Sequence, residues 1–195
     1  MFRELLQEKL QGIVVLSPEQ LSLLAAHYEL LKRWNQTLNL TRIENVAEAV
    51  ERHYCESLFL GAHLPAGSLK IADLGSGGGF PGFPVAVLRG DCEVTLVESH
   101  QRKAVFLKEV SRSVGNVRVT AKRAEEVPDR FDHVISRAVS YDDLTRVLKV
   151  LGPNADLLAG MEEPPAKLGF VWQAAIPLPW GRQRFLRKGH ASAGI

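Results

Sequence analysis

Residues Asp73–Pro84 read DLGSGGGFPGFP, and this stretch decides the predicted fold. Between positions 77 and 82 its glycines match the pattern G-x-G-x-x-G, which is weak evidence when it stands alone. Here the pattern follows an apolar run at 69–74, and Pro81 suits the first position of a helix. Glycine adopts positive φ at little cost and lets backbone N–H groups approach a ligand. The stretch therefore predicts a strand, a ligand-binding turn and a helix.

Segments with the length of strands alternate with helical segments after this stretch. The alternation predicts parallel β-α-β units in an α/β fold, with a sheet covered on both faces. Near the C-terminus, residues 168–176 and 183–187 flank a Pro/Gly turn and predict an antiparallel hairpin that closes the sheet. The predicted strands are 69–74, 93–97, 117–120, 131–136 and 155–158, with helices at 81–89, 101–114 and 141–151.

The N-terminal third of the chain has the pattern of helices. A Ser-Pro-Glu sequence that begins at Ser17 is typical of a helix start, and apolar residues then recur at three- and four-residue steps. The amide-rich residues 35–43 predict a loop, and apolar spacing predicts a second helix at 46–62. We expect a helical cap at 1–63 and a Rossmann-like domain at 64–195.

The acid Glu98 ends the strand that follows the glycine-rich stretch. In folds of this kind a carboxylate at that place accepts hydrogen bonds from ribose hydroxyls, so we expect a ligand that contains adenosine. Asp73, two residues before the first glycine, would repel the pyrophosphate of a dinucleotide but suits an ammonium or sulfonium cation. This charge argument favours S-adenosylmethionine over a nicotinamide dinucleotide. Gly77 and Glu98 are therefore expected to bind that cofactor.

Composition excludes several classes of protein. Of the 195 residues, 46% are hydrophobic and 24% are charged, which excludes a disordered tail and a collagen-like fibre. No apolar run approaches the roughly 18 residues of a membrane-spanning helix, and no signal-peptide core is present, so we expect a cytoplasmic protein. Cys55 and Cys92 are expected to be reduced thiols. The histidines lack the spacing of metal ligands, so no metal site is predicted.

Positive charge is concentrated in two parts of the chain, although the net charge is only +2. Residues 101–123 contain seven bases and one acid, and five bases but no acids follow Glu163. Clustered positive charge is typical of a protein that binds a polyanion such as a nucleic acid. A solvated helix face and a basic tail would produce the same pattern.

Four segments together resemble one known family. The resemblance runs from about Trp34 to Val150, and it is most specific in the glycine-rich stretch. The family is the bacterial ribosomal small-subunit RNA methyltransferase G family, also called glucose-inhibited division protein B. The segments are Asp73–Pro84, Asn39–Ile43 (NLTRI), Arg52–Leu58 (RHYCESL) and Ser136–Ala138 (SRA).

The resemblance implies a fold, a reaction and a partner. The fold is the class I S-adenosylmethionine-dependent methyltransferase sheet, with seven mostly parallel strands and a C-terminal antiparallel hairpin, behind an N-terminal helical segment. The reaction is methyl transfer to ring nitrogen 7 of one guanosine in 16S ribosomal RNA, with the small subunit or an assembly intermediate as substrate. That nitrogen has a free lone pair, so no general base is expected. We expect a monomer.

The resemblance also assigns residues to the site. Gly75, Phe80, Ala124 and Glu125 are expected to contact the methyl donor, although Phe80 is almost equally suited to a core contact. Arg137 is expected either to hold the donor or to bind the acceptor edge of guanine. The candidates for RNA contact are Asn39, Arg42, His53, Arg102, Lys103, Arg182 and Arg184.

Two departures from the family pattern affect the C-terminal part. The family usually has a lysine before the glycine that follows the sixth strand, whereas this chain reads Leu158-Ala159-Gly160. The connection from 160 to 170 is also short. The missing lysine leaves open the alternative of a non-catalytic RNA-binding or ribosome-assembly factor. A methyltransferase that acts on a small molecule is a further alternative, although the basic clusters and the polar loop argue against it.

Overall fold

Helices form the first third of the chain in the computed structural model, which describes residues 1–192. Helix α2 begins with a capping box, in which the Ser17 hydroxyl accepts from the Gln20 amide and the Gln20 side chain accepts from the Ser17 amide. This confirms the predicted helix start. The helices are α1 (Phe2–Leu10), α2 (Pro18–Leu38), α3 (Val46–Ala49) and α4 (Glu56–Ala62), and a π-helical turn, Val50–Cys55, joins α3 to α4.

The predicted end of α2 is wrong. The helix continues through the amide-rich residues to Leu38, and the loop begins at Asn39 rather than at residue 35. Leu38 is buried, and the free energy gained by burying it outweighs the weak helix preference of the amides. Asn39 has a φ of 48°, a left-handed conformation that asparagine tolerates better than most residues, so the helix ends there.

One mixed sheet follows the helices. Its strands are β1 (Lys70–Leu74), β2 (Glu93–Val97), β3 (Val117–Thr120), β4 (His133–Arg137), β5 (Asn154–Ala159), β6 (Phe170–Trp172), β7 (Ile176–Pro177) and β8 (Phe185–Ala191). Seven strands are ordered β3-β2-β1-β4-β5-β8-β6, and the two-residue β7 pairs with β8 off this path. Strands β1 to β5 are parallel, whereas β8 runs antiparallel to β5 and β6. The α/β prediction is confirmed.

The antiparallel end of the sheet differs in detail from the prediction. The predicted strand at 168–176 is divided into β6 and β7, and Pro177, which lacks an N–H donor, keeps β7 at an edge. The last strand begins at Phe185 and extends beyond the predicted end at 187. It is longer because β8 lies between β5 and β6, so that its backbone is hydrogen-bonded on both sides.

Short crossover helices connect the parallel strands and leave the carboxyl ends of β1, β2, β4 and β5 at one edge of the sheet. The crossover helices are α5 (Gly82–Leu88), α6 (Gln101–Val110), α7 (Tyr141–Thr145) and α8 (Leu148–Leu151), and a 3-10 turn, Ala124–Glu126, lies between β3 and β4. Within residues 1–192 no helix has both the length and the apolar character needed to cross a bilayer.

The N-terminal helices and the sheet share one apolar core. Leu24 and Tyr54 from the helices belong to the same buried cluster as Ile71 of β1 and Phe83 of α5. The division of the chain after residue 63 stays a prediction, and its C-terminal limit at 195 lies outside the described residues.

Candidate functional site

The glycine-rich turn lies between β1 and α5 at the carboxyl edge of the sheet. Gly75 has a φ of +69°, and the amides of Gly75 and Ser76 both donate to the Val97 carbonyl at the end of β2. A Cβ atom at Gly75 would come within 2.8 Å of the Val139 side chain, and one at Gly82 would come within 2.6 Å of the Asp73 carboxylate. Glycine is therefore required for conformation at the first position and for space at the second.

Asp73 lies fully buried beneath this turn. One carboxylate oxygen, Oδ2, accepts a hydrogen bond from the Gly82 amide at 3.0 Å and so fixes the start of α5. The other oxygen, Oδ1, has no hydrogen-bond partner. Burial penalises the charged form and raises the pKa of Asp73 to about 7. A buried carboxylate oxygen without a partner fits a ligand that carries positive charge, as the sequence argument expected.

Glu98 holds the same turn from the end of β2. Its Oε2 accepts from the Gly77 amide at 2.9 Å, its Oε1 accepts from the His100 amide at 2.8 Å, and the residue is 8% exposed. An ionised carboxylate has about four acceptor positions, so these two bonds leave capacity for ribose hydroxyls. The ribose contact of Glu98 and the cofactor contact of Gly77 stay predictions.

A cavity of about 360 Å³ lies at the ends of β1 and β2, and we call it the donor cavity. Three residues that the resemblance assigned to the donor, Gly75, Ala124 and Glu125, line it together. Lys122 and Val139 also line it. Gly75 and the adjacent pair Ala124 and Glu125 come from separate parts of the sequence, and the sheet topology brings them to one cavity.

A second cavity of about 260 Å³ adjoins the first at the ends of β4 and β5, and we call it the acceptor cavity. Arg137 and Arg184 line it. Val139 and Leu144 line both cavities, so the two spaces are neighbours. The stretch 158–160, which lacks the family's lysine, forms part of the acceptor cavity, where Arg184 supplies a guanidinium. The two adjoining cavities give room for a ligand beside the glycine-rich turn, and the unpartnered oxygen of Asp73, which lines neither cavity, lies beneath that turn.

The Arg137 guanidinium is held in place at the end of β4. One nitrogen, Nη2, lies 2.7 Å from Nδ1 of His53, and the other, Nη1, donates to the Arg52 carbonyl. The guanidinium also lies over the Phe80 ring, 5.3 Å from its centroid. Burial lowers the pKa of Arg137 to about 10, so the group stays charged at neutral pH. Phe80 is itself buried in the apolar core and lines neither cavity. Its contact with the methyl donor stays a prediction.

The placement of His53 argues against its predicted RNA contact. The residue is 5% exposed, and its Nε2 lies 2.7 Å from the Thr41 hydroxyl while Nδ1 faces Arg137. Burial, reinforced by the Arg137 charge, lowers the pKa of His53 to about 2 and keeps the ring neutral. Both ring nitrogens are occupied inside the protein, so neither is available to a phosphate.

The placement of Arg184 also argues against a simple phosphate contact. Its guanidinium forms a two-point ion pair with Glu56, at 3.0 and 2.6 Å, and Glu56 is 2% exposed. Two further basic residues of the C-terminal part are similarly paired, Arg187 with Glu163 and Lys188 with Asp156. The excess of positive charge in the tail is therefore largely neutralised by tertiary contacts.

The other RNA candidates lie at the surface. Asn39 and Arg42 are exposed on the loop after α2, which also carries Thr41, the hydrogen-bond partner of His53. Lys103 is half-buried at the start of α6. Arg102, on the same turn, and Arg182, in the turn before β8, are exposed. Their contacts with RNA stay predictions.

Sequence reasoning did not identify four residues that build the site: His27, Thr41, Tyr54 and Glu56. His27 lies on the predicted buried face of α2, three residues after Leu24, so the apolar spacing placed it in the core without showing its polar partners. Cys55 and Cys92 are free, as expected, and both are buried. Within residues 1–192 no group of three or more potential ligands could hold a metal ion.

Comparison with known proteins identifies the family. A model described as rRNA small subunit methyltransferase G matches residues 20–159. Proteins named ribosomal RNA small subunit methyltransferase G from Xanthomonas campestris pv. campestris (strain B100) and Chromobacterium violaceum are 42% and 41% identical to this chain, over 165 and 151 residues. The chain belongs to this family. The alignment with the strain B100 protein covers 80% of this chain and 74% of that relative, and the alignment with the C. violaceum protein covers 75% and 71%. A third alignment, with the protein of X. campestris pv. campestris (strain 8004), covers 66% of that relative.

Solved structures agree on the fold. A SAM-dependent methyltransferase from Aquifex aeolicus has a TM-score of 0.60 at 14% identity, and the match covers 77% of this chain and 96% of that one. A ribosomal protein L11 methylase from Lactobacillus delbrueckii subsp. bulgaricus has a TM-score of 0.56 at 12% identity, covering 76% and 81%. The predicted class I methyltransferase fold is confirmed. The family and the fold together support S-adenosylmethionine as the cofactor, as predicted.

Proposed function

We propose that this protein transfers a methyl group from S-adenosylmethionine to ring nitrogen 7 of a guanosine in 16S ribosomal RNA. Membership of the methyltransferase G family supports the reaction type and the kind of substrate. The observation that carries the proposal in this chain is the contact between the donor cavity and the acceptor cavity at Val139 and Leu144. A donor in the first cavity and a base in the second would meet at that boundary.

The proposed chemistry requires alignment more than proton transfer. Bound S-adenosylmethionine supplies an electrophilic methyl group. Ring nitrogen 7 of guanine carries a free lone pair, so the protein does not have to remove a proton before the bond forms. Holding the two reactants in line can supply several kcal/mol of the barrier, up to about 7–11 in well-oriented model reactions. Arg137, fixed beside the boundary, is suited to donate to guanine O6.

RNA binding in this proposal depends on exposed basic side chains of the protein. Arg42 and Arg102 are exposed, and neither forms an ion pair within the described residues. Lys122 lines the donor cavity and is exposed as well. Such side chains would contact phosphates, fix the orientation of the RNA and make binding weaken as salt concentration rises.

The test is methyl transfer from labelled S-adenosylmethionine to 30S subunits that are unmodified at the target guanosine, followed by nucleoside analysis. We expect labelled 7-methylguanosine in the RNA. Subunits that already carry the modification are the matched control and should accept no label. Label in small metabolites alone would indicate a small-molecule methyltransferase. Tight binding to the subunit without transfer to any substrate would indicate a non-catalytic assembly factor.

A further inference from the structure

Arg137 is held by one short segment of the N-terminal helices. Both of its anchors, the Arg52 carbonyl and the His53 ring, belong to the π-helical turn Val50–Cys55. The segment reaches Arg137 across more than eighty residues of sequence, so the contact is entirely tertiary. The two anchors engage different nitrogens of the guanidinium and thereby fix its plane.

The helical irregularity has a direct effect on these anchors. The Glu56 amide donates to the Glu51 carbonyl, five residues back, rather than to the Arg52 carbonyl as it would in an α-helix. The Arg52 carbonyl instead accepts from Arg137. π-helical turns are rare and are found frequently at functional sites.

The hydrogen-bond direction around His53 follows from the chemistry of arginine. A guanidinium only donates, so Nδ1 of His53 must accept from Arg137, and the ring proton is therefore on Nε2. The Nε2 proton is donated to the Thr41 hydroxyl, 2.7 Å away. That hydroxyl also accepts from the Ile43 amide at 3.0 Å. The ring is fixed further by stacking on Phe80, with centroids 4.5 Å apart.

We propose that His53 is a positioning residue that orients Arg137 at the acceptor cavity and connects it, through Thr41, to the exposed loop that carries Asn39 and Arg42. RNA that contacts this loop would then contact an element joined by two hydrogen bonds to the guanidinium beside the reacting base. The effect on methyl transfer rests on the proposed function, but the orientation of Arg137 does not.

Two substitutions separate positioning from bulk packing. His53→Phe keeps a ring that stacks on Phe80 but removes the acceptor for Arg137, so we expect kcat to fall by about 10- to 100-fold while KM for S-adenosylmethionine stays within about twofold. His53→Gln provides both an acceptor and a donor, and we expect it to restore most of the activity. His133→Gln is the matched control, since His133 is also buried but bonds Asp156 away from both cavities, and kcat should be unchanged.

A second readout is independent of methyl transfer. Nitrogen-15 spectra of arginine side chains report how fast the guanidinium N–H protons exchange with solvent. For the bonded Arg137 guanidinium this exchange should be slow in the wild type and in His53→Gln, and rapid in His53→Phe. If Arg137 exchanges equally in all three, or if His53→Phe and His53→Gln lose the same activity with the same loss of stability, the positioning role is wrong. Should the wild type fail to methylate 30S subunits while the exchange pattern holds, only the proposed function is wrong.

Discussion

The Nε2 atom of His27, on helix α2, lies 3.0 Å from the carbonyl oxygen of Gly78 in the glycine-rich turn. The Nδ1 atom of the same ring is 2.7 Å from the Tyr54 hydroxyl. Burial lowers the pKa of His27 to about 3, so the ring is neutral and donates from Nε2 while Tyr54 donates to Nδ1. The N-terminal helices therefore hold the glycine-rich turn directly, in addition to covering the sheet.

We expect His27→Ala to lower the free energy of unfolding by about 2–4 kcal/mol, because it removes a packed ring and leaves the Gly78 carbonyl and the Tyr54 hydroxyl without partners. The affinity for S-adenosylmethionine should also fall, since the turn loses one of its supports. Urea unfolding and titration calorimetry measure the two effects. His190→Ala, at an exposed position on β8, is the control and should change neither. If the His27→Ala protein were less stable but bound S-adenosylmethionine with unchanged affinity, the His27 ring would not contribute to donor binding through the turn.

Gly75→Ala should weaken the binding of S-adenosylmethionine by tenfold or more. The added Cβ would approach the Val139 side chain to 2.8 Å at the wall shared by the two cavities. Gly67→Ala is the matched control, because Gly67 also has a positive φ, +96°, but a Cβ there meets nothing within 4 Å. Both substitutions should cost about 1–2 kcal/mol of stability for the left-handed backbone. Equal donor affinities in the two variants would contradict the placement of the donor cavity.

The Asp73 carboxyl should make stability depend on pH in a defined direction. Its pKa is raised from 3.8 to about 7, mainly by burial, so the folded protein holds this proton more tightly than the unfolded chain does. The stabilising contribution is complete below about pH 4 and is lost as pH rises through about 7. Asp73→Asn removes the titration. We therefore expect the difference in unfolding free energy, wild type minus variant, to decrease from pH 4 to pH 8. A difference that stays constant across this range would show that Asp73 does not titrate as described.

Arg184→Ala should destabilise the protein by about 3–5 kcal/mol, because it leaves the buried Glu56 carboxylate without its partner. Glu56→Gln combined with Arg184→Ala should recover part of that loss, since no isolated charge remains. Arg182→Ala, two residues earlier and exposed, should change stability by less than about 0.5 kcal/mol. Thermal unfolding compares the three. A stability loss below 1 kcal/mol for Arg184→Ala would mean that the ion pair contributes little.

Arg102→Ala should weaken binding to the 30S subunit and reduce the salt dependence of that binding. Each phosphate contact contributes roughly one unit or less to the slope of log affinity against log salt. Arg3→Ala, an exposed arginine on α1 outside the two basic clusters, should leave the slope unchanged. Filter binding at several salt concentrations measures this. Identical slopes for the two variants would remove α6 from the proposed RNA surface.

Local patterns predicted most of the parallel part of the fold, although the helix predicted at 141–151 is divided into α7 and α8 and the one predicted at 101–114 ends at Val110. The predicted strand at 93–97 has the observed limits, and the turn after β1 follows from glycines that only a tight, ligand-facing connection requires. Local patterns failed where a distant contact decided the outcome. Leu38 extends α2 because it is buried, and β8 extends past residue 187 because it pairs on both sides.

The candidate site shows the same division. The family resemblance assigned Arg137 to the site, and the residue lies at the end of the parallel strand β4, at the edge of the sheet where open α/β folds bind ligands. The roles of His53 and Arg184 were not predictable, since exposure and ion pairing depend on neighbours that are far away in sequence. No periodic spacing in the sequence relates Arg52 to Arg137, or Glu56 to Arg184.

By itself the sequence determined the β-turn-α unit around Asp73–Pro84, the alternation of strands and helices, and a family resemblance that comparison confirmed. These features depend on spacing and on backbone conformation, which act over a few residues. Only the tertiary structure decided which charges are free to meet RNA and which are paired. The physical reason is that burial and ion pairing depend on distances through space, and those distances are set when α2 and the π-helical turn pack against the edge of the sheet.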